Sequence, residues 1–219
     1  MTMPIPVDAT LYLAPHCPHC PAMLQILGDL VKQGQLGRLE VVNVEVYPEA
    51  AQSLGIRSVP WVRIGPFDLA GMRTRAELLS WATRAGSGTG MADYFHTLLK
   101  EGELSKVIKR IKTQPEWLEV LLAIVANPEA SINVRIGAGA VFEEMAGTDS
   151  LAALVEPLAA LTDHHDARVR VDACHYLGLT QSRSAVVYLR ARLEDDDADV
   201  REVAADSLLL LAQSAPARP

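Results

Sequence analysis

The chain of 219 residues is 49% hydrophobic, 21% charged and 5% aromatic, with 3 Cys and a formal net charge of -7. That balance excludes a disordered, collagen-like or disulfide-scaffold chain and leaves room for one large domain or two small ones, each with a real core. The longest apolar runs, at 118–126 and 207–212, fall far short of the roughly 20 residues that span a bilayer, so no membrane helix and no membrane partner are expected.

In chain order, segments 9–14 (ATLYLA) and 39–46 (LEVVNVEV) read as strands, the second with β-branched residues on alternate faces. Between them, 23–31 carries apolar residues at helical spacing. A strand, helix, strand unit of this length implies a parallel pair joined by a right-handed crossover. Residues 48–54 predict a short helix closed by Gly55, and 61–64 with 67–70 predict a hairpin. Thr74-Arg75-Ala76-Glu77 is a capping box, opening a helix whose buried face is Leu78, Leu79 and Trp81. The expected architecture over 1–85 is an α/β domain, a central four-stranded mixed sheet flanked by helices.

Gly86-Ser87-Gly88-Thr89-Gly90 sustains neither helix nor packed strand and marks a linker over 86–90. Charge divides at the same place: residues 1–85 hold 7 Lys and Arg against 7 Asp and Glu, whereas 86–219 hold 13 against 20. The second part, 91–214 with a tail over 215–219, is rich in Ala, Leu and Val at spacings of three and four and is expected to be all helical. Residues 91–112 form a leading helical pair.

Within it a pattern recurs. Val134-Arg135, Ala138 and Phe142 return as Val169-Arg170, Ala173 and Leu177, and again as Val200-Arg201, Ala204 and Leu208, at offsets of 35 and 31 residues. A period of that size makes one helical hairpin the unit, each burying its apolar face on the next. Asp166 and Asp197 stand three residues before a Val-Arg pair, placed to cap the second helix of a hairpin. The first unit departs from this, with Ser131 in the capping position and Gly137 and Gly139 weakening its helix. The Asp-x-x-Val-Arg-x-x-Ala pattern resembles HEAT-type α-solenoids, with repeats at roughly 115–147, 150–181 and 183–214. The resemblance implies an extended surface for a protein partner. The excess of acid in this array argues against phosphate contact, so no nucleic-acid partner is expected, and the short basic stretch 106–112 is too local to reverse that.

The chemistry gathers at His16-Cys17-Pro18-His19-Cys20, between the first strand and the first helix. A thiolate is the nucleophile in disulfide exchange, and the unpaired amides and positive dipole end of a helix N-terminus favour it at Cys17, lowering the thiol's pKa. Cys20, one turn further on, is placed to resolve a mixed disulfide formed on Cys17. His19 is placed to donate to or lie near the Cys17 thiolate, and Pro18 stands beside it as part of the motif. Before the third strand stands Arg57-Ser58-Val59-Pro60.

Together these residues resemble the thioredoxin superfamily over roughly 9–85, nearest to the short glutaredoxin-like thioredoxins. The resemblance implies a cis Val59-Pro60 bond and a substrate surface made by Val59, Pro60 and His16, with Trp61 either lining that groove or filling the core. It implies a thiol-disulfide oxidoreductase with no cofactor beyond the redox-active Cys17-Cys20 pair. Its partners would be a protein disulfide and an electron-donating reductase or low-molecular-weight thiol. The buried acid of thioredoxins is Leu11 here, and the glutathione-holding Gly-Gly-acid pattern of glutaredoxins is Ala70-Gly71-Met72-Arg73-Thr74, so glutathione is not carried over as an obligate cofactor.

Two other readings stay open at this stage. One is a redox-gated interaction scaffold with little turnover; the other is a metal site using Cys17, Cys20, His16 and His19. Cys174 reads as a small core hydrophobe, the His164-His165 pair as loop residues, and the acidic run 194–199 as a solvated loop with a helix cap. With no basic leader followed by an apolar stretch at the start, a cytoplasmic location is expected.

Overall fold

A computed structural model describes residues 6–86 and 90–214. It divides between Gly90 and Met91 into two compact units, each with its own core. Linker residues 87–89 and tail residues 215–219 lie outside the described residues, and Gly86 is the last residue of a helix.

The first unit runs β1 (Ala9–Leu13), α1 (Cys20–Lys32), β2 (Leu39–Asn43), α2 (Pro48–Leu54), β3 (Trp61–Ile64), β4 (Phe67–Ala70) and α3 (Arg75–Gly86). The strand order is β2-β1-β3-β4, with β1 parallel to β2 and antiparallel to β3, which is antiparallel to β4. β1 is central and buried through Ala9, Leu11 and Tyr12. One face of α1, Met23, Leu27 and Leu30, closes the core beneath it, and Leu78, Trp81 and Ala82 of α3 complete it. Phe67 and Trp81 pack with ring centroids 4.8 Å apart.

β2 ends three residues earlier than the alternation in 39–46 predicts. The Asn43 side chain accepts the Glu45 amide at 2.9 Å, and the Asn43 carbonyl accepts the Tyr47 amide at 2.9 Å, so the chain turns before Val44 and Val46 can extend the strand. The capping box at α3 forms as its sequence predicts: the Glu77 carboxylate accepts the Thr74 amide at 2.7 Å, and Thr74 Oγ1 accepts the Glu77 amide at 3.2 Å. These contacts hold the Glu77 carboxyl below its ordinary pKa, the Thr74 amide first among them.

The second unit is helical: α4 (Met91–Lys100), α5 (Leu104–Thr113), a 3₁₀ segment (Pro115–Leu121), α6 (Leu122–Val125), α7 (Ile132–Glu144), α8 (Asp149–Ala152), α9 (Val155–Leu161), α10 (Ala167–Leu179), α11 (Ala185–Ala191), a 3₁₀ turn (Arg192–Glu194) and α12 (Ala198–Ser214). The long helices α7, α10 and α12 carry the repeated pattern. Val134, Ala138 and Phe142, then Val169, Ala173 and Leu177, then Val200 and Ala204 are all fully buried. Asp166 Oδ1 accepts the Arg168 amide, and Asp197 Oδ1 accepts the amides of Asp199 and Val200, which caps α10 and α12. Ser131 makes no such bond with its side chain.

Two local findings differ from the sequence pattern. The first helix of the middle hairpin is broken into α8 and α9. Pro157 has no amide to bond the Ala153 carbonyl, and the helix is interrupted there. Gly137, read as a weak point, is a close-approach position: a Cβ there would lie 2.9 Å from Leu99 Cδ2, so α4 packs on α7 because that side chain is missing.

Candidate functional site

Cys17 lies in the turn after β1, where its amide donates to the Ala14 carbonyl at 3.2 Å, and α1 begins only at Cys20. The two are joined as a disulfide with their Cα atoms 5.4 Å apart. They differ in exposure: Cys17 is half-buried, whereas Cys20 is 2% exposed and faces the core of the unit. The first free amide of α1, that of Cys20, donates to Cys17 Sγ at 3.1 Å. This is the polar contact that the helix end offers to charge on that sulfur.

Opposite the sulfurs stands the turn before β3. The Val59-Pro60 bond is cis, and the Val59 carbonyl oxygen lies 3.6 Å from Cys17 Sγ. The Pro60 carbonyl accepts the Gly71 amide at 2.9 Å, tying this turn to the segment after β4. Gly71 has φ +76, a left-handed conformation that suits glycine, and Met72 beyond it is exposed. Sequence reasoning expected helix-end amides at Cys17, and the Cys20 amide is one, but it did not single out the Gly71 amide. Backbone donors carry no residue signature, and only the position of Cys20 at the helix start hinted at one.

The remaining expected site residues separate. His16, Pro18 and His19 are exposed around the disulfide. His19 occupies the N-cap of α1 without a side-chain capping bond, and its imidazole makes no hydrogen bond to either sulfur among the described residues. Pro60 is buried and Val59 half-buried. Trp61, read as lining the substrate groove or filling the interior, is 5% exposed and packs edge-on against Tyr12 at 5.2 Å, with the Arg63 guanidinium over its ring at 5.4 Å. Alternation in β3 sets it on the face of Arg63 and Tyr12, opposite Val62 and Ile64 of the core, and those two side chains leave it little surface to present. Leu11, in the place of the expected acid, is fully buried in β1.

Other chemistry-bearing residues fall outside this site. Cys174 is fully buried in α10, and burial pushes its thiol up to about 12. His164 Nδ1 accepts the Asp166 amide at 3.1 Å, which makes that ring part of a turn. Among the described residues no three His, Cys, Asp or Glu side chains are grouped so as to hold a metal ion. None of the described helices is long and apolar enough to cross a membrane. The acidic run is not simply solvated: the Asp195 side chain is 5% exposed and bridges Arg170 at 2.7 and 3.0 Å.

Comparison with known proteins separates the chain at the same place. Residues 8–83 match the family described as thioredoxin domain, and residues 108–209 match the family described as HEAT repeats. A thioredoxin of Methanocaldococcus jannaschii is 31% identical over 75 residues, a stretch covering 33% of this chain and 88% of that relative.

Proposed function

The chain belongs to the thioredoxin family through its first unit and carries HEAT repeats in its second, and from that premise we propose that it is a protein thiol-disulfide oxidoreductase whose helical unit binds and orients a protein partner. The observation that carries this reading is the asymmetry of the Cys pair: Cys17 half-buried beside the Val59 carbonyl, Cys20 buried behind it.

In the reducing direction, the Cys17 thiolate attacks one sulfur of a substrate disulfide. The substrate's S–S bond breaks, and the departing thiolate takes a proton from solvent. Cys20 then gives up its proton and attacks Cys17 Sγ, which breaks the mixed disulfide and releases the second substrate thiol. Two electrons have passed to the substrate, and Cys17-Cys20 is oxidised. A reductase or a low-molecular-weight thiol restores the dithiol by the same exchange in reverse. The Cys20 amide holds charge on Cys17 Sγ in the attacking state, and an extended substrate backbone would lie against Val59.

Leu11 favours one rival. With an apolar side chain where thioredoxins keep an acid, proton removal from Cys20 has no such acceptor there, and a slow second step would leave a redox-gated scaffold. Insulin reduction with dithiothreitol as donor separates the two. The oxidoreductase reduces many equivalents of insulin per chain at a steady rate above the dithiothreitol background; one equivalent followed by background rate would contradict it.

A further inference from the structure

α10 packs between α7 and α12, so one stripe of each helix faces the same way across three successive repeats. On α7 this stripe is Ile132 and Ile136, one turn apart, 68% and 65% exposed. Ala167 and Val171 follow on α10, and Asp199, Glu202 and Asp206 on α12 at spacings of three and four. A groove of about 310 Å³ joins the rows, its wall including Ile132, Ala167, Val171, Arg168 and Asp199.

Its charge is one-sided. Arg135 is engaged by the Asp172 carboxylate and the Arg168 carbonyl, and Arg168 is bridged to Asp166. Asp197, also in the wall, accepts amides of its own helix. Asp199, Glu202 and Asp206 are exposed and enter no ion pair among the described residues. Two apolar anchors at one end and three uncompensated carboxylates at the other suit a segment that is apolar at one end and cationic at the other. The sign of the charge disfavours nucleic acid.

We infer that this face docks a basic, amphipathic helical segment of a partner protein, its apolar residues on Ile132, Ile136 and Val171 and its Lys or Arg side chains on Asp199, Glu202 and Asp206. The inference rests on the reading of the helical unit as the part that recruits a partner. With helix axes about 8–10 Å apart, the face spans about 20 Å from α7 to α12, the length of about 14 helical residues.

The probe is a fluorescein-labelled 14-residue amphipathic peptide of Leu and Lys, with a Leu and Glu peptide of the same pattern as control. Binding to the full chain is read by anisotropy in about 0.1 M salt, where exposed charges more than about 10 Å apart are screened. The Lys peptide binds and the Glu peptide does not. The double variant Ile132→Ser, Ile136→Ser and the double variant Glu202→Gln, Asp206→Asn each weaken binding tenfold or more, with parental circular dichroism. Unchanged binding by the isoleucine variant would reduce the effect to charge attraction and overturn the inference. So would binding of both peptides or of neither, or a concentration-dependent dimer that the isoleucine variant abolishes. A Cys-bearing, disulfide-capped Lys peptide separates this from the recruitment reading. If it binds on this face yet reacts with Cys17 equally fast in the parent and the isoleucine variant, recruitment fails and the docking face stands.

Discussion

Replacing Cys17 by Ser reduces insulin reduction to the rate of the donor alone, whereas replacing Cys20 by Ser leaves a chain that reacts once and stays attached to its substrate. The difference follows from burial: Cys17 is the half-buried sulfur beside the Val59 carbonyl, and Cys20 is 2% exposed. Without Cys17 no other thiol can substitute. Cys20 is enclosed, and Cys174 is fully buried with a thiol that stays protonated at neutral pH. Without Cys20 the first exchange still occurs, but nothing within reach attacks Cys17 Sγ, so the mixed disulfide accumulates until external thiol releases it. Non-reducing gels and intact mass of the Cys20→Ser chain mixed with oxidised insulin read this directly. Folding is not at issue, because so short a loop contributes only about 2 kcal/mol of closure entropy. Steady turnover by Cys17→Ser would remove the assignment of Cys17 as nucleophile.

The second large effect lies in the helical unit. Asp195 is enclosed, bidentate to Arg170, and 3.7 Å from Arg192. Arg170 also donates to the His164 and His165 carbonyls, and the Arg201 guanidinium donates to the Asp195 and Asp196 carbonyls. One carboxylate thus ties the loop of the last hairpin to the helix of the one before it. Asp195→Ala leaves the Arg170 cation half-enclosed and without its carboxylate, a loss of about 3 kcal/mol. It appears as a lower urea midpoint for the helical signal at 222 nm. The pH dependence has a definite sign. The Arg170 hydrogen bonds lower the Asp195 pKa in the folded chain, so the stabilisation is fully present above the ordinary Asp value near about 4 and is lost as pH falls through the depressed folded value. The parent therefore has a steeper acid limb than Asp195→Ala, and the two converge at low pH. Equal midpoints at neutral pH would show that the pair contributes nothing.

Much of this arrangement is legible in the sequence, for identifiable reasons. The strand-like run 9–14, helical spacing in 23–31 and the Thr74–Glu77 box are local signals, and local geometry obeyed them. The repeats were visible because Val-Arg, Ala and a large apolar residue return at the period of one hairpin, and the Val and Ala of each, with Phe142 and Leu177, are the buried row. The CxxC pair was placed by its position between strand and helix. What escaped depends on partners distant in sequence. Asp195 looks like one carboxylate in a solvated run until Arg170, 25 positions earlier, is brought against it. Gly137 looks like a helix breaker until Leu99 occupies the space of its missing side chain. Trp61 follows the Val59-Pro60 turn and reads equally as a groove or a core residue until the register of β3 against β1 sets it on Tyr12.

The central claim is that Cys17 and Cys20 form a working dithiol, and its most direct test is an equilibrium titration of the full chain in glutathione buffers, with alkylation of free thiols and mass readout. The account predicts one reversible two-electron transition between about -270 and -120 mV, the interval spanned by thioredoxin and strongly oxidising relatives, with Cys174 unmodified in the folded chain throughout. A pair that stays reduced or stays oxidised across every buffer would contradict it.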